Sequence, residues 1–331
     1  MQSSDGCSGM VVDLLSTNEA QELFDELPAR DRVSTLRPDV LAAADPAGGE
    51  LLHLLSRDAR GFILTTVIEN EIPGTNWYDW TDPHNYGGLV LSGEPDPARW
   101  AAFAAFARTR GVVAQFHRFH PLSDAHLLRQ EVSRPDRLTV ALPLDPGVDA
   151  TTHFRPSAVG AFKKAVNAGV QIREAALSNS AFVDRYRDLM MAKKARAELL
   201  FDAGYFHRLE LTGATLLLEA VAGEEVVGSI LVLVGPVVSE YHLGESNAEG
   251  RRLGVTNLLL ASAARIVGES GSRWLFLGGG ADADPSNGLL RFKSSLSPHT
   301  FDFWIGGTVY DLAAFMKLPV RSPGRFLPYR D

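Results

Sequence analysis

Residues 239–298 decide the fold of this chain, and they run SEYHLGESNAEGRRLGVTNLLLASAARIVGESGSRWLFLGGGADADPSNGLLRFKSSLSP. The first part predicts a short strand over 239–243 and then a polar loop over 247–254 that contains two arginines. Apolar and small residues recur at helical spacing over 254–268, which predicts a helix with one buried face. The alternation of strand and helix indicates an α/β fold.

The second half of this stretch has a glycine turn between a buried strand and a short helix. Residues 273–277 predict a strand that stops at three glycines (278–280), and Ser286 or Asn287 can cap the helix that carries Lys293. A strand followed by a glycine loop and a helix start leaves backbone amides open, and these suit an oxygen that gains negative charge during a reaction. Such turns are also common as structural punctuation, so the glycines leave both interpretations open.

Length and composition describe a globular chain of one large or two smaller domains. The chain has 331 residues, of which 45% are hydrophobic and 22% are charged. It contains no apolar run near the ~20 residues that a membrane span needs, and its first residues lack the pattern of a signal peptide. Cys7 is the only cysteine, and the nine histidines form no HExxH pair. We therefore expect a cytoplasmic protein with no disulfide framework and no metal site.

Charge is unevenly distributed along the chain. The formal net charge is −8, which excludes a uniformly basic nucleic-acid binder, and no DNA partner is expected. Residues 155–196 nevertheless contain nine basic and three acidic residues, a net charge of +6. A local basic surface of this kind can hold a polyanion through its phosphates, but lysine and arginine are also common on the solvated face of a helix. The charge pattern alone leaves both interpretations open.

The order of predicted elements repeats along the chain. The first half predicts strands, a helix and a further strand, and the second half predicts an antiparallel meander followed by a helix, a strand and a helix. A turn at 145–147 separates the two halves. We therefore predict a mixed α/β (α+β) chain of two tandem domains, 1–147 and 148–331, with a cleft between them.

Several segments resemble the Fem family of aminoacyl-tRNA-dependent transferases and the wider group of Fem-like, GNAT-type N-acyltransferases. The most specific is the short helix after the glycine turn, which carries the pair Phe292-Lys293. The resemblance covers most of residues 50–305 and is a likeness of pattern outside that final motif. The matching segments are YHLG (241–244), GVTNLLLASAARI (254–266), WLFLGGG (274–280), GLLRFKSSLSP (288–298) and FRPSAVGAFKKAVNAGVQIRE (154–174).

The resemblance implies two GNAT-like domains, with the acceptor side at 1–147 and the acyl-donor side at 148–331. It implies an enzyme that moves an amino acid from aminoacyl-tRNA to an amine, with aminoacyl-tRNA as co-substrate and no other cofactor. Lys293 is the implied catalytic residue, which stabilises the tetrahedral oxyanion or the leaving tRNA end. The family's coiled-coil insertion is not visible here, which leaves tRNA recognition open. The residues expected to bind the donor are Arg251, Arg252, Gly254, Gly278, Gly279, Gly280, Lys163 and Lys164.

The acceptor amine is less well defined than the donor. Fem-like proteins have a Tyr-Gly-Gly segment in the first domain, which residues 86–88 match, and a basic residue followed by a His-Pro pair, which residues 118–121 match. Members of the group act on peptidoglycan precursors, small peptides or natural-product amines, and no basic amphipathic helix here favours a membrane-bound acceptor. The residues expected on the acceptor side are Tyr86, Arg118, His120, Tyr241 and His242.

Two other functions remain open. In acyl-CoA-dependent GNAT enzymes, an Arg/Gln-x-x-Gly-x-Gly/Ala segment between a strand and a helix cradles the pyrophosphate with its amides. Residues 251–256 match this pattern except at Thr256, so acetyl-CoA is an alternative donor. The third interpretation is a non-catalytic binding or scaffold protein, which a buried and paired Lys293 would favour.

Overall fold

The structure of this chain is a computed structural model, which describes residues 10–44, 49–83, 86–123, 125 and 132–330. Cys7 lies outside the described residues. Strands and helices alternate along the chain, so the mixed α/β class predicted from the sequence is confirmed. None of the helices in the described ranges is long and apolar enough to cross a lipid bilayer.

Strands and helices are numbered separately, each in chain order. The strands are β1 (Val12–Leu15), β2 (Gly49–Asp58), β3 (Gly61–Glu71), β4 (Tyr78–Thr81), β5 (Val90–Gly93), β6 (Val112–Phe119), β7 (Val132–Pro143), β8 (Gln171–Ala175), β9 (Thr215–Ala222), β10 (Glu225–Leu233), β11 (Val238–Ser246), β12 (Trp274–Gly279) and β13 (Thr300–Val309). The helices are α1 (Thr17–Glu26), α2 (Pro38–Ala43), α3 (Pro97–Thr109), α4 (Pro156–Asn167), α5 (Phe182–Ala192), α6 (Ala203–Leu211), α7 (Ala248–Leu253), α8 (Val255–Glu269), α9 (Gly288–Leu296) and α10 (Leu312–Phe315).

The chain divides into two compact units that are interleaved in sequence. Unit 1 contains Met1–Leu27, Asp45–Arg134 and Trp304–Asp331, and unit 2 contains Pro28–Ala44 and Pro135–Phe303. The boundary predicted between residues 147 and 148 falls inside unit 2. The assignment of an acceptor-side and a donor-side domain stays a prediction.

Unit 1 contains a mixed sheet in the order β1-β2-β3-β4-β6, and the later residues of β13 pair with β6. The strands β4 and β6 run parallel, whereas β2, β3 and β4 pair antiparallel in sequence order. The helix α3 precedes β6, and it begins where the side chain of Asp96 accepts a hydrogen bond from the Ala98 amide. Its Phe103 packs in one core with Trp80, a fully buried residue of β4. A helix therefore connects the two parallel strands and covers the sheet.

Unit 2 repeats this plan. Its strands lie in the order β7-β12-β11-β10-β9-β8, and β9, β10 and β11 pair antiparallel before a helical connection leads to β12, which is parallel to β11. Val232 of β10 packs in the core that α4 and α8 cover, and its neighbour Leu231 packs in the core beside α5 and α6. Since adjacent residues of a strand point to opposite faces, the sheet of unit 2 is covered on both sides.

The polar loop predicted over 247–254 is wrong, because most of it is the helix α7. The side chain of Asn247 caps this helix by accepting a hydrogen bond from the Gly250 amide at 2.8 Å. Leu253 is buried at its far end, and Gly254 then takes the left-handed conformation with φ +76°. The helix α8 starts at the next residue, so the two helices meet at one glycine.

Candidate functional site

The parallel strands β11 and β12 stop pairing part of the way along their length. Their register ends at the Glu240–Phe276 pair, although β11 continues to Ser246 and β12 to Gly279. Each strand has a β-bulge just beyond this point: β11 has an extra residue against β10, and β12 has one against β7. A bulge bends its strand and interrupts the ladder. The backbone groups beyond the last pair are therefore not used for pairing between these two strands.

The glycine turn predicted from the sequence is wrong in part, because two of its three glycines belong to the bulged strand β12. The strand does not stop at Leu277 but continues through Gly278 and Gly279, with Gly278 at φ +75°. A side chain at Gly279 would lie 2.9 Å from the carbonyl oxygen of Leu138, so β7 approaches this backbone closely. The glycines, Gly280 included, are half-buried rather than sealed. Their conformation has a structural reason, and a role in donor binding stays a prediction.

The side chain of Lys293 reaches from α9 to the end of β12. Its Nζ donates a hydrogen bond to the carbonyl oxygen of Gly279 at 2.9 Å and lies 6.0 Å from the ring centroid of Tyr241 on β11. Lys293 is 8% exposed, and this burial lowers the pKa of its ammonium group to about 8, while the carboxylate of Glu240 acts in the opposite direction. The charged amine therefore lies where β11 and β12 separate.

Local sequence explains why α9 directs Lys293 inward. Leu290 and Leu296 are buried, and they lie three residues before and after Lys293, so the three share one helix face. Asn287 caps the helix, and its side-chain oxygen accepts hydrogen bonds from the amides of Leu289 and Leu290. The cap confirms one of the two predicted alternatives, but it occupies amides that the sequence predicts to be open. Lys293 therefore supplies a positive charge here in place of those amides.

The predicted donor residues of α7 and α8 lie beside α4. A side chain at Gly254 would lie 2.9 Å from the carbonyl oxygen of Ala161, so the junction of the two helices packs against α4. Arg251 donates to the carbonyl oxygen of Ser246 at 2.5 Å, and Arg252 donates to Glu249 at 2.7 Å. The hydrogen bond from Arg252 lowers the pKa of Glu249, and Lys164 adds to the effect. Both arginines have protein partners, so phosphate binding by them stays a prediction.

The exposed side chains of Lys163 and Lys164 complete this region on α4. The helix α8 has no side-chain hydrogen bond at its N-cap, Gly254, and it is the longer of the two helices that meet there. Because Gly254 packs against Ala161 of α4, the positive end of the α8 dipole is close to the α4 lysines. The structure thus brings Lys163, Lys164, Arg251, Arg252 and Gly254 into one part of unit 2.

Tyr241 and His242 were expected together on the acceptor side, but they pack on different faces of the sheet in unit 2. Tyr241 packs against the core beside α4 and α8, and burial raises the pKa of its hydroxyl to about 12. His242 lies on the other side, where its Nε2 is 2.5 Å from the hydroxyl of Tyr205. His242 also contacts the ring of Phe201. Only Tyr241 is near Lys293, so the structure separates this predicted pair.

The remaining acceptor residues form a cluster in unit 1. The ring of Tyr86 meets the ring of His120 edge to face, with centroids 4.9 Å apart. The guanidinium of Arg118 donates to the carbonyl oxygens of Asp82 and Pro83 at 2.8 and 2.6 Å. His120 is 1% exposed, whereas Tyr86 and Arg118 are half-buried. The structure therefore brings these three predicted residues together, and their role stays a prediction.

Sequence reasoning missed two charged clusters. In unit 1, the buried carboxylate of Asp82 accepts a hydrogen bond from the Arg118 amide and lies 3.5 Å from Nδ1 of His117. In unit 2, Arg185 donates to Glu219 and Glu245, each at 2.9 Å. No sequence motif marks either cluster, because the acidic and basic members lie on different elements. Alternation in β9 and β11 was the available hint, since charged residues there interrupt apolar strands.

A cavity of about 600 Å³ lies elsewhere in unit 2, between the 145–151 segment and the α8 face that carries Leu258, Ser262 and Arg265. None of the residues predicted for the site lines this cavity. Lys293 is a stronger candidate for a reaction site than this cavity, because a charged group in a water-poor position is typical of reaction sites.

Known structures identify the fold. No protein-family model and no curated protein matches this chain. FemX matches at a TM-score of 0.70 and 12% identity, over 93% of this chain and 99% of FemX. The C-terminal domain of a putative lysylphosphatidylglycerol synthetase from Agrobacterium fabrum matches at 0.57 and 13%, over 90% and 94% of the two chains. A tandem GNAT protein from the clavulanic acid pathway matches at 0.53 and 12%, over 92% and 99%.

These matches confirm the Fem-like fold and the two GNAT-like domains predicted from the sequence. The repeated plan of antiparallel strands, helix and parallel strand in the two units is the structural basis of this likeness. At 12 to 13% identity, the likeness concerns the fold and not the substrates.

Proposed function

We propose that this chain is an acyltransferase that moves an acyl group from an activated donor to an amine and forms an amide bond. The observation that carries the proposal is the buried ammonium group of Lys293 at the place where β11 and β12 stop pairing. A fixed charge in a water-poor site stabilises a developing oxyanion far better than the same charge in water. A pKa of about 8 keeps Lys293 mostly protonated at neutral pH, as this role requires.

The reaction needs little covalent chemistry from the protein. The acceptor nitrogen attacks the carbonyl carbon of the donor, and the carbonyl oxygen becomes the oxyanion that Lys293 stabilises. The nitrogen loses a proton, the bond to the leaving oxygen or sulfur breaks, and that atom takes up a proton. Because the donor is already activated, positioning and charge stabilisation account for most of the acceleration. Glu240 assists by opposing the loss of the proton from Lys293.

The burial and pairing of Lys293 bear on the scaffold interpretation. An ammonium group has three donors, and its partner here is a neutral carbonyl, so the bond to Gly279 leaves the charge intact. Burying an ammonium group without a carboxylate partner costs stability, and such groups are found chiefly at functional sites. The buried charge of Lys293 therefore favours catalysis over a passive role, and a measurement of activity separates the two interpretations.

We further propose aminoacyl-tRNA as the donor, in the cytoplasm. The fold is that of FemX and of proteins named lysylphosphatidylglycerol synthetases. Exposed lysines of α4 lie beside the arginines of α7, and their segment 155–196 is basic in an otherwise acidic chain. Such a surface suits the phosphates of an RNA. For the acceptor we propose a small-molecule or peptide amine, with Tyr86, Arg118 and His120 in unit 1 and Tyr241 in unit 2 as its contacts.

Acyl-CoA is the second candidate donor, and one observation favours it. The helix α8 begins at a left-handed glycine and has no side-chain cap, so its first amides and its dipole suit a pyrophosphate. The tandem GNAT protein with a similar fold is described in a form without AcCoA. In this case the amides of residues 255 and 256 would contact the phosphates, since those of Gly254 and Asn257 donate to the carbonyl oxygens of Gly250 and Gly254.

The experiment that tests the proposal offers the purified protein either charged tRNA or acetyl-CoA, with fractionated cell extract as the source of amines. Acylated products are then identified by mass. The donor also raises the melting temperature when it binds the native state. We expect product and thermal protection with charged tRNA only. Product with acetyl-CoA would select the second candidate, and no product with either donor would support the scaffold interpretation.

A matched pair of variants separates the site from the fold. Lys293→Met should lower product formation several hundredfold, whereas Arg30→Met, which changes a basic side chain that is 81% exposed, should leave it unchanged. If both variants are as active as the original protein, Lys293 has no part in the reaction.

A further inference from the structure

Three large apolar side chains are exposed within nine residues of unit 1. Leu312, Met316 and Val320 are 65%, 75% and 66% exposed. The amide of Met316 donates to the carbonyl oxygen of Leu312, so the first two lie on one side of the α10 turn. Single exposed apolar residues are common, but a close group of them marks a contact surface.

These side chains cannot turn inward, because their neighbours already occupy the interior. Ala314 and Leu318 are buried in one core with Leu327 and Tyr329. The side chain of Asp311 caps α10 through the Ala314 amide at 2.9 Å. Further along, the amides of Arg321 and Ser322 both donate to the carbonyl oxygen of Pro328. The segment is therefore fixed, and its exposed residues form a preorganised surface.

The same surface is basic in an acidic protein. Residues 311–331 contain four basic and two acidic residues, a net charge of +2, whereas the whole chain has a net charge of −8. Lys317, Arg321 and Arg325 of this stretch are exposed. Of the two acidic residues, Asp311 is held as the helix cap. We name Leu312, Met316, Lys317, Val320, Arg321 and Arg325 the 312–325 patch.

We infer that the 312–325 patch docks unit 1 on the surface of an anionic phospholipid membrane. Apolar side chains between long basic ones suit the boundary of headgroups and acyl chains, where the apolar groups enter and the basic groups meet lipid phosphates. A nucleic acid would use the charges but would gain little from Leu312 and Met316. An acidic protein partner is less favoured because the three apolar side chains protrude, each being at least 65% exposed. The inference does not depend on the proposed function.

Vesicle sedimentation with the full chain tests this inference. The probes are vesicles of phosphatidylcholine alone and vesicles of phosphatidylcholine and phosphatidylglycerol in equal parts. Each basic residue near an anionic surface strengthens binding roughly fivefold at physiological salt, so three of them predict a preference on the order of a hundredfold for the anionic vesicles. High salt should remove most of this preference.

Two double variants separate the contribution of the apolar side chains from that of the basic side chains. Leu312→Ser with Met316→Ser should weaken binding to anionic vesicles at least tenfold, and Lys317→Gln with Arg321→Gln should remove most of the preference for them. The matched control is Met191→Ser with Leu211→Ser in unit 2, where both residues are similarly exposed (65% and 73%), and it should bind as the original protein does.

Three results would overturn the inference. One is the absence of binding to anionic vesicles, and another is equal loss in the patch variants and the control. The third is a change of mass in solution, in which Leu312→Ser with Met316→Ser converts an oligomer to a monomer; the patch is then an interface between copies. In the first of these cases, weaker retention of tRNA by Lys317→Gln with Arg321→Gln would assign the patch to a nucleic acid instead.

Discussion

The ammonium nitrogen of Lys293 lies 2.9 Å from the carbonyl oxygen of Gly279, and this bond links α9 to the end of β12. The bond holds a charge beside the strand end that no longer pairs with β11. Two ordinary features produce the arrangement: a bulge that needs a left-handed glycine, and a helix whose apolar spacing turns a lysine inward.

Lys293→Ala should lower turnover by several hundredfold, because removing one oxyanion donor typically costs that much. The Michaelis constant should change less, since the charge acts mainly on the transition state. Lys293→Arg should retain part of the activity because it keeps the charge. Steady-state kinetics with the donor that proves active checks this, and turnover within threefold of the original protein would remove Lys293 from the mechanism.

Activity should decline as pH rises through about 8, because the pKa of Lys293 is lowered to about 8 by burial and only the protonated form stabilises an oxyanion. The acceptor amine must lose its proton to react, so the rate should first rise with pH and the profile should be bell-shaped. Lys293→Arg should keep the rising limb and lose the falling one, since arginine stays protonated throughout this pH range. A falling limb that persists in Lys293→Arg would assign it to another group.

Stability should depend on pH through the same residue. The pKa of Lys293 is about 8 when folded against 10.5 when unfolded, so between these values the unfolded chain binds more protons. Stability therefore rises with pH across this window, by up to about 3 kcal/mol. Lys293→Met should lack this gain and be more stable than the original protein at neutral pH. Urea unfolding of both proteins, at neutral pH and again near the upper end of the window, measures the difference. If the free energies of unfolding of the two proteins differ by the same amount at both pH values, the pKa assigned to Lys293 is wrong.

Gly254→Ala should be more destabilising than Gly213→Ala, although both glycines have positive φ, +76° and +65°. Alanine in this conformation costs about 1 kcal/mol at either position. At Gly213 nothing lies within 4 Å of the added carbon, whereas at Gly254 it meets the Ala161 carbonyl oxygen at 2.9 Å. The contact should add about 1–3 kcal/mol, and denaturant unfolding checks it. Equal losses would show that α4 moves away freely.

The sequence predicted the elements whose signals are local. The helix predicted over 254–268 is observed at Val255–Glu269, and Asn287 caps α9 as one of two predicted alternatives. Helix periodicity and caps depend on residues that are neighbours in the chain, so a single sequence reveals them. The same holds for Lys293, which the resemblance singled out and the spacing of Leu290 and Leu296 turns inward.

The features that escaped prediction are set by distant residues. Register between β10 and β11 places a bulge beside Tyr241 and His242, and no local pattern marks it. The sequence predicts a loop in place of α7 because the exposed residues of this helix are polar, and the burial of its other residues depends on packing against α4 and α8. The interleaving of the two units depends on β13, which returns to pair with β6. Each of these features depends on a strand or helix that is distant in the sequence.

In the charged cluster of unit 2, two arginines share the carboxylate of Glu219. Arg185 donates to Glu219, Glu245 and the hydroxyl of Ser229, and its side chain is 27% exposed. Arg173 also donates to Glu219 but is 59% exposed. Burial alone would raise the pKa of Glu219, but hydrogen bonds from Ser180 and the two arginines outweigh it and lower that pKa.

Arg185→Met should therefore destabilise unit 2 by about 3 kcal/mol, because it leaves the buried Glu245 carboxylate without this partner. Arg173→Met should cost about 1 kcal/mol or less, since water screens an exposed pair. Because the pKa of Glu219 is lowered, its contribution is present near neutral pH and is lost as pH falls through that pKa, so the cost of Arg173→Met should shrink in acid. Urea unfolding of both variants at two pH values measures this. If Arg173→Met proves as costly as Arg185→Met, exposure does not decide the strength of these pairs.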